Sequence, residues 1–270
     1  MKVKHDLLRQ LRIASAEPVP GGCIHECYRV SIAGRSRFLK LNDASYADAF
    51  ATEADGLSAL RSCDLPAPEP LAHGTAGDQA YLLLEYLELK GKGDFAALGR
   101  MLAQAHRKAG PRFGWQRDNY IGSTPQKNGW CDDWAEFWGE RRMKPQLELA
   151  LSKGFSLPAV SLALLKNHHP QPSLLHGDLW SGNAGFTAQG PVVFDPAVYY
   201  GDREADIAMT ELFGGFPAEF YSEYEKELPL DHGYATRKHL YNLYHLLNHL
   251  NLFGGGYLGQ VKANLRLLGL

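Results

Sequence analysis

His176-Gly177-Asp178-Leu179-Trp180-Ser181-Gly182-Asn183 is the stretch on which the reading of this chain turns. Asp178 is a carboxylate suited to take the proton of an attacking hydroxyl. Asn183, five residues on, can reach back to a Mg²⁺ held on phosphates. The loop follows a short apolar run, Ser173–Leu175, that reads as a small strand. A second run, Pro191–Phe194, ends in Val193-Phe194-Asp195-Pro196-Ala197, twelve residues beyond Asn183. Asp195 there is placed as the second metal-binding residue, a carboxylate whose bound Mg²⁺ would neutralise charge on a transferring phosphoryl group.

The Asp-x₄-Asn spacing is that of a kinase catalytic loop, with His-Gly-Asp where protein kinases carry His-Arg-Asp. The missing arginine is expected where no phosphorylated activation loop has to be held. Phe-Asp-Pro stands in place of Asp-Phe-Gly, so the assignment of Asp195 rests on position and strand context. Upstream, Lys40 lies in the apolar run Phe38-Leu39-Lys40-Leu41 as a phosphate-binding lysine on a strand does. Glu53, on the helix that follows, is its natural partner. Before both comes Pro20-Gly21-Gly22-Cys23-Ile24, a turn whose backbone N–H groups suit phosphate. A lone Asp-x₄-Asn arises by chance, and an isolated Lys–Glu pair is ordinarily surface decoration. The weight lies in the order: glycine turn, lysine, helix glutamate, apolar strand, His-Gly-Asp-x₄-Asn, strand aspartate.

The surrounding pattern gives an α+β chain with a bilobal, protein-kinase-like fold. A β-rich N-terminal lobe, residues 1–88, has strands expected at Tyr28–Ile32, Arg37–Leu41 and Ala80–Tyr86. Turns are expected at Gly21–Gly22 and Ala33–Gly34, a helix over Tyr46–Leu60, and a proline-rich loop over Arg61–Pro70. Met1–Ser15 also has helical spacing. A mostly helical C-terminal lobe, residues 89–270, begins after the glycines near Lys90–Gly93. Its helices are expected at Phe95–His106 (capped by Asp94), Trp134–Leu151, Leu157–His168, Asp202–Phe213 and Arg237–Leu250.

Composition agrees with a globular chain: of 270 residues, 45% are hydrophobic and 21% charged. A net charge of −2, with no block of like charge, argues against nucleic-acid binding. No apolar run is long enough to cross a membrane and no signal-peptide pattern opens the chain, so a cytoplasmic location is expected. The four cysteines read as reduced thiols.

Several longer segments are more specific. They are Gly22-Cys23-Ile24 with Tyr28-Arg29-Val30, Asn119–Gln126 with Trp134–Arg142, Tyr199–Asp206, and Leu246-Leu247-Asn248-His249 with Phe253-Gly254-Gly255. On these the chain closely resembles the fructosamine kinase (ketosamine-3-kinase) family, relatives of the aminoglycoside and choline kinases, over nearly its whole length. The resemblance implies ATP- and Mg²⁺-dependent phosphorylation of the 3-hydroxyl of ketosamines, with a fructosamine or ribulosamine, free or on a peptide or protein, as acceptor. By position it implies Asp178 as base, Asn183 and Asp195 as metal ligands, and Lys40 on phosphate, oriented by Glu53. Gly21, Gly22 and Cys23 would form the phosphate turn, and Glu85, Tyr86 and Leu87 a hinge offering backbone groups to adenine. His25 departs from the small polar residue expected after Ile24. The rivals are an aminoglycoside, choline or homoserine kinase of the same fold, and a non-catalytic nucleotide-binding scaffold.

Around the base, Trp180 is placed to stack on a sugar, with Asp202 and His176 as further acceptor-site residues. Asp206 is read as an anchor for the catalytic-loop backbone. His245 and His249 have a metal-ligand spacing but read as packing or pocket lining. Arg141-Arg142 is expected to pair with carboxylates or favour a helix terminus. Cys23, beside phosphate-binding N–H groups, is expected to be redox-sensitive and able to join two copies through a disulfide.

Overall fold

The computed structural model describes residues 3–20 and 24–270. By chain contacts it divides into two compact units, residues 1–93 with 185–195 and residues 94–184 with 196–270.

Among the described residues the first unit is an antiparallel sheet in the order β1-β2-β3-β5-β4. A short helix α1 (His5–Gln10) leads into β1 (Ile13–Val19), β2 (Glu26–Ile32) and β3 (Arg35–Asp43). After these come helix α2 (Ala47–Ser62), β4 (Pro70–Ala76) and β5 (Gln79–Glu85). The expected helix over Met1–Ser15 is thus cut short. Only Leu7 of α1 is buried, Arg12 takes a left-handed conformation, and Ile13 onward pairs with β2. The hairpin between β2 and β3 turns at Ala33–Gly34, both at positive φ, the twist that suits a two-residue β-turn.

Strand periodicity then divides β3. Leu39 and Leu41 enter the core with Tyr28, Val30, Tyr81, Leu83 and Leu7, which leaves Lys40 on the opposite sheet face. Helix α2 packs on β4 and β5, burying Phe50, Leu57 and Leu60. The segment Arg61–Pro70, expected as loop, ends where β4 begins.

The second unit opens with α3 (Phe95–His106), capped as expected by the Asp94 side chain. It continues through β6 (Asn119–Ile121) and β7 (Thr124–Gln126). The helix expected over Trp134–Leu151 is α4 (Trp134–Trp138), a π-turn over Gly139–Met143, and α5 (Lys144–Ser152). Pro145 has no N–H to give the Arg141 carbonyl; the Arg142 guanidinium donates there instead, at 3.0 Å. The helix expected over Leu157–His168 reduces to one tight turn, Ala163–Leu165. Of its apolar residues only Leu165 is fully buried, too little to hold a helix against the sheet and bundle.

The chain proceeds through β8 (Ser173–Leu175), β9 (Ala184–Phe186), β10 (Pro191–Val193) and β11 (Tyr199–Gly201). β9 pairs with β10, and β11 pairs antiparallel with β8. The β9–β10 hairpin belongs to the first unit: Lys90 N–H donates to Phe186 O and Val193 N–H to Pro66 O. Helices α6 (Glu204–Leu212), α7 (Ala218–Glu227), α8 (Tyr234–Phe253) and α9 (Leu258–Leu267) complete the second unit. No described helix is long and apolar enough to cross a membrane.

Gly99 shows how closely the helices meet. A Cβ on it would lie 2.3 Å from the Phe220 carbonyl oxygen of α7. In an open helix, alanine for glycine stabilises by about 1 kcal/mol. Gly99→Ala is therefore expected to reverse that sign and lower stability, measured as a drop in the urea midpoint with unchanged slope.

Candidate active site

In the first unit, Lys40 is only 5% exposed. Its ammonium meets Glu53 Oε1 of α2 at 2.6 Å and also bonds the carboxylate of Asp195. Burial works against the charge, but Asp195 and Glu53 outweigh it and hold the lysine pKa well above its ordinary value. Burial in turn raises Glu53, against the pull of Lys40. Asp195 follows β10 in a left-handed conformation, φ 58°, and its side chain is half exposed. The three groups placed by chain order alone are thus together.

His25 is also explained. It accepts from Asn42 Nδ2 at 2.9 Å and packs on Tyr46 and Phe50. Burial, then the charge of Lys40, lower its pKa to about 4. Gly21, Gly22 and Cys23 lie outside the described residues. Cys27, Cys63 and Cys131 are free thiols. Glu85 ends β5, donating its N–H to Glu69 O while its carboxylate accepts from Glu69 N. Tyr86 lies under the Arg29 guanidinium, and Leu87 follows, half buried.

In the second unit, Asn183 Nδ2 donates to the Asp178 carbonyl at 2.9 Å and to its Oδ2 at 3.2 Å, so carboxylate and amide are side by side. The loop that carries them is held by Asp206 in the first turn of α6. Its carboxylate accepts from the backbone N–H of His176 at 2.7 Å and of Gly177 at 2.8 Å, and meets His106 Nε2 at 3.3 Å. Asp206 is fully buried. Burial opposes its ionisation, but His106 and these donors keep its pKa below the ordinary value. Asp206 is the anchor the sequence suggested.

Gly177 also has a steric reason. At φ 81°, a Cβ on it would stand 2.1 Å from the Ala197 carbonyl oxygen, so no side chain fits between His176 and Asp178 here.

Two acceptor-site expectations are corrected. Asp202 is 1% exposed, and its carboxylate is taken up by His168 Nε2 at 2.6 Å, Tyr241 OH at 2.5 Å and the Glu204 N–H. It braces the start of α6 rather than facing a substrate. His176 is wholly buried, with Nδ1 accepting from the Asp178 N–H at 3.3 Å, so it supports the loop backbone at Asp178. Trp180 remains half buried, its ring edge against Phe213. Arg142 takes carbonyl and amide oxygens and stacks on Tyr199 at 3.9 Å, in place of the carboxylates expected.

Sequence reading missed the network behind the loop. Asn119 Nδ2 donates to Val198 O, and Gln126 Nε2 donates to Asn119 Oδ1 and to Ala197 O. Tyr244 OH donates to Gln126 Oε1, and Arg142 donates to Asn128 Oδ1. Two polar side chains in short strands, Asn119 and Gln126, were its signal. His168, Asp202 and Glu204 place ligand-type atoms within 4.8 Å of one another. Arg237 holds Glu204 from two nitrogens, and Asp202 is engaged as above, so the group is a closed ion-pair cluster.

A β-rich unit bearing the Lys–Glu–Asp trio and a helical unit bearing the Asp–Asn loop define a chain of the protein-kinase-like fold. Comparison with known proteins agrees. A thermostable mutant of aminoglycoside phosphotransferase APH(4)-Ia, solved with ADP and hygromycin B, superposes with a TM-score of 0.63 over 97% of both chains, at 15% identity. A crystal structure from Haemophilus somnus 129PT, assigned as a fructosamine-3-kinase, gives a TM-score of 0.88 at 31% identity, covering 95% of this chain and 91% of that one. A probable ketoamine kinase of Synechocystis sp. (strain PCC 6803) is 47% identical, covering 94% of this chain and 90% of its own. The fructosamine kinase family model matches residues 1–268. The chain belongs to the fructosamine kinase family.

Two outcomes follow. Asp206→Asn presents an NH₂ to one of two buried backbone donors, at a cost of about 1–3 kcal/mol; it should lower the melting temperature and turnover together. For His25, the unfolded chain takes up a proton below the ordinary 6.5 that the folded chain refuses until about pH 4. Stability should therefore fall as pH drops from 6.5 toward 4, and thermal melts of His25→Gln should show a shallower slope.

Proposed function

We propose that the chain transfers the γ-phosphoryl group of ATP to the 3-hydroxyl of a ketosamine, an Amadori-type adduct of a sugar on an amine. The observation that carries this reading is family membership over residues 1–268 joined to the Asp178–Asn183 pair on its anchored loop.

The roles follow from the side chains. Asp178 accepts the proton of the sugar hydroxyl as that oxygen bonds to phosphorus and the bridging oxygen leaves with ADP. Lys40, held charged by Glu53, serves the phosphates, as do the backbone groups of Gly21, Gly22 and Cys23. Tyr86 and Leu87, with Glu85 before them, offer main-chain groups to adenine. Asn183 and Asp195 each supply an oxygen of the hard type that Mg²⁺ prefers. With Asn183's amide nitrogen turned to Asp178, its oxygen is the atom presented elsewhere. Mg²⁺, when bound, would neutralise charge on the phosphates. Trp180 supplies an indole face for the sugar or its amine-bearing part. A phosphate on the carbon beside the ketone is a good leaving group in β-elimination, so the product can shed its sugar and regenerate the amine.

The test is ATP turnover on a synthetic ribulosamine and a fructosamine, with kanamycin and choline as controls. Ketosamine turnover is expected, and Asp178→Asn should reduce kcat by about 10²–10⁴, the usual contribution of a general base. Turnover on a control alone would replace the acceptor, and none on any would leave a nucleotide-binding scaffold.

A further inference from the structure

α8 carries His245, His249 and Phe253 about one helical turn apart along a single face. His245 is 2% exposed, with Nδ1 3.9 Å from Asp178 Oδ1. His249, a turn further on, is half buried, and Phe253 at the helix end is 51% exposed. The face therefore leads from the His176–Asn183 loop out to solvent.

Other rings extend it. Between ring centres, Phe213 stands 4.6 Å from His249, and Trp180 6.2 Å from Phe213. Phe253 lies 5.6 Å from His249, and Tyr257 5.1 Å from it. The core aromatics Trp134, Trp138 and Tyr241 are sealed, but this wall is open. A Cβ on Gly214, next to Phe213, or on Gly254, Gly255 or Gly256, just past Phe253, would meet nothing within 4 Å. A contiguous, partly exposed apolar patch of this kind marks a contact surface.

His249 gives the wall one polar point. Its Nδ1 bonds the His245 carbonyl at 2.9 Å; a carbonyl only accepts, so Nδ1 holds the proton and Nε2 the lone pair. Nε2 has no hydrogen-bond partner among the described residues and is not one of the sealed, unpaired atoms. Burial lowers the His249 pKa, so the imidazole is neutral. A lone pair set among ring faces, with no charge on the wall itself, suits a cation that carries an N–H.

We propose that the wall binds the amine of the acceptor in its protonated form, the ammonium lying against Trp180, Phe213 and Phe253 and donating an N–H to His249 Nε2. This deepens the ketosamine reading and rests on it. With the 3-hydroxyl at Asp178, the amine sits on the carbon beyond the ketone, roughly 5 Å from the reacting oxygen along an extended chain. Four residues of helix rise about 6 Å, so a nitrogen at that reach comes level with His249. The substituent on the amine then runs past Phe253 to solvent. An apolar arm alone would leave Nε2 unpaired, and a further hydroxyl would gain little from the ring faces; an ammonium satisfies both. The chain would thus tell a ketosamine from a free sugar by a charge that takes no part in phosphoryl transfer.

The experiment measures kcat/KM on N-butyl fructosamine and on the matching butyl ether, whose oxygen neither holds a proton nor donates. The pair is repeated with Phe253→Leu and His249→Leu. Wild type is expected to prefer the amine by about tenfold or more. Phe253→Leu, at an exposed helix end, should cut that ratio about threefold, and His249→Leu should remove most of it. Equal or better turnover of the ether by wild type overturns the proposal, and that measurement needs no variant to fold. Phe253→Leu and a folded His249→Leu that both keep the full ratio overturn it as well. Wild-type turnover of neither compound would instead remove the ketosamine reading, so the two failures are told apart.

Discussion

One buried positive charge organises the first unit. Lys40 sits where strand periodicity turns a side chain away from the apolar core, and two carboxylates close on it: Glu53 from α2 and Asp195 from the end of β10. Taking an ammonium out of water is expensive, and removing a partner from such a buried set commonly costs about 3–5 kcal/mol. An apolar residue would serve packing at least as well. What the charge provides is position, because it ties a strand, a helix and a later hairpin to one nitrogen at hydrogen-bond distance. The half-exposed Asp195 keeps one end of this set in reach of solvent.

The second unit solves a different problem. A catalytic loop is irregular backbone, and buried irregular backbone must find partners. Here one carboxylate, Asp206, takes two successive N–H groups, while Ala197 N–H donates to the His176 carbonyl. Behind Ala197 and Val198 the Asn119–Gln126 pair takes their carbonyls in turn. The backbone on either side of Asp178 is therefore held by several fixed partners. That also accounts for the burial of so many polar side chains in this part of the fold.

Much of this was legible from residues alone. The hairpin at Ala33–Gly34, the helix from Phe95 to His106, the strand lysine and the Asp206 anchor each follow from a local rule. The misreadings share a physical cause. Apolar spacing over Leu157–His168 looks helical, but burial is decided by what packs opposite, and there little does; over Met1–Ser15 a competing strand wins, as Ile13 onward pairs with β2. β4, α7 and α9 escaped notice because their apolar faces are narrow and interrupted, and α7 in addition packs on α3, far earlier in the sequence. Asp202 and His176 were assigned to an acceptor because they flank the right motifs; proximity along the chain does not say on which side of a loop a side chain emerges.

The anchoring of the loop also bears on the order in which a nascent chain gains competence. Asp206 follows the N–H groups it binds by 30 and 29 residues. Contacts of that separation close only after the intervening chain has been made and ordered. A polypeptide emerging from the ribosome carries the His176–Asn183 loop before it carries the residue that anchors it. The loop would therefore stay loose in partly made copies until α6 is in place.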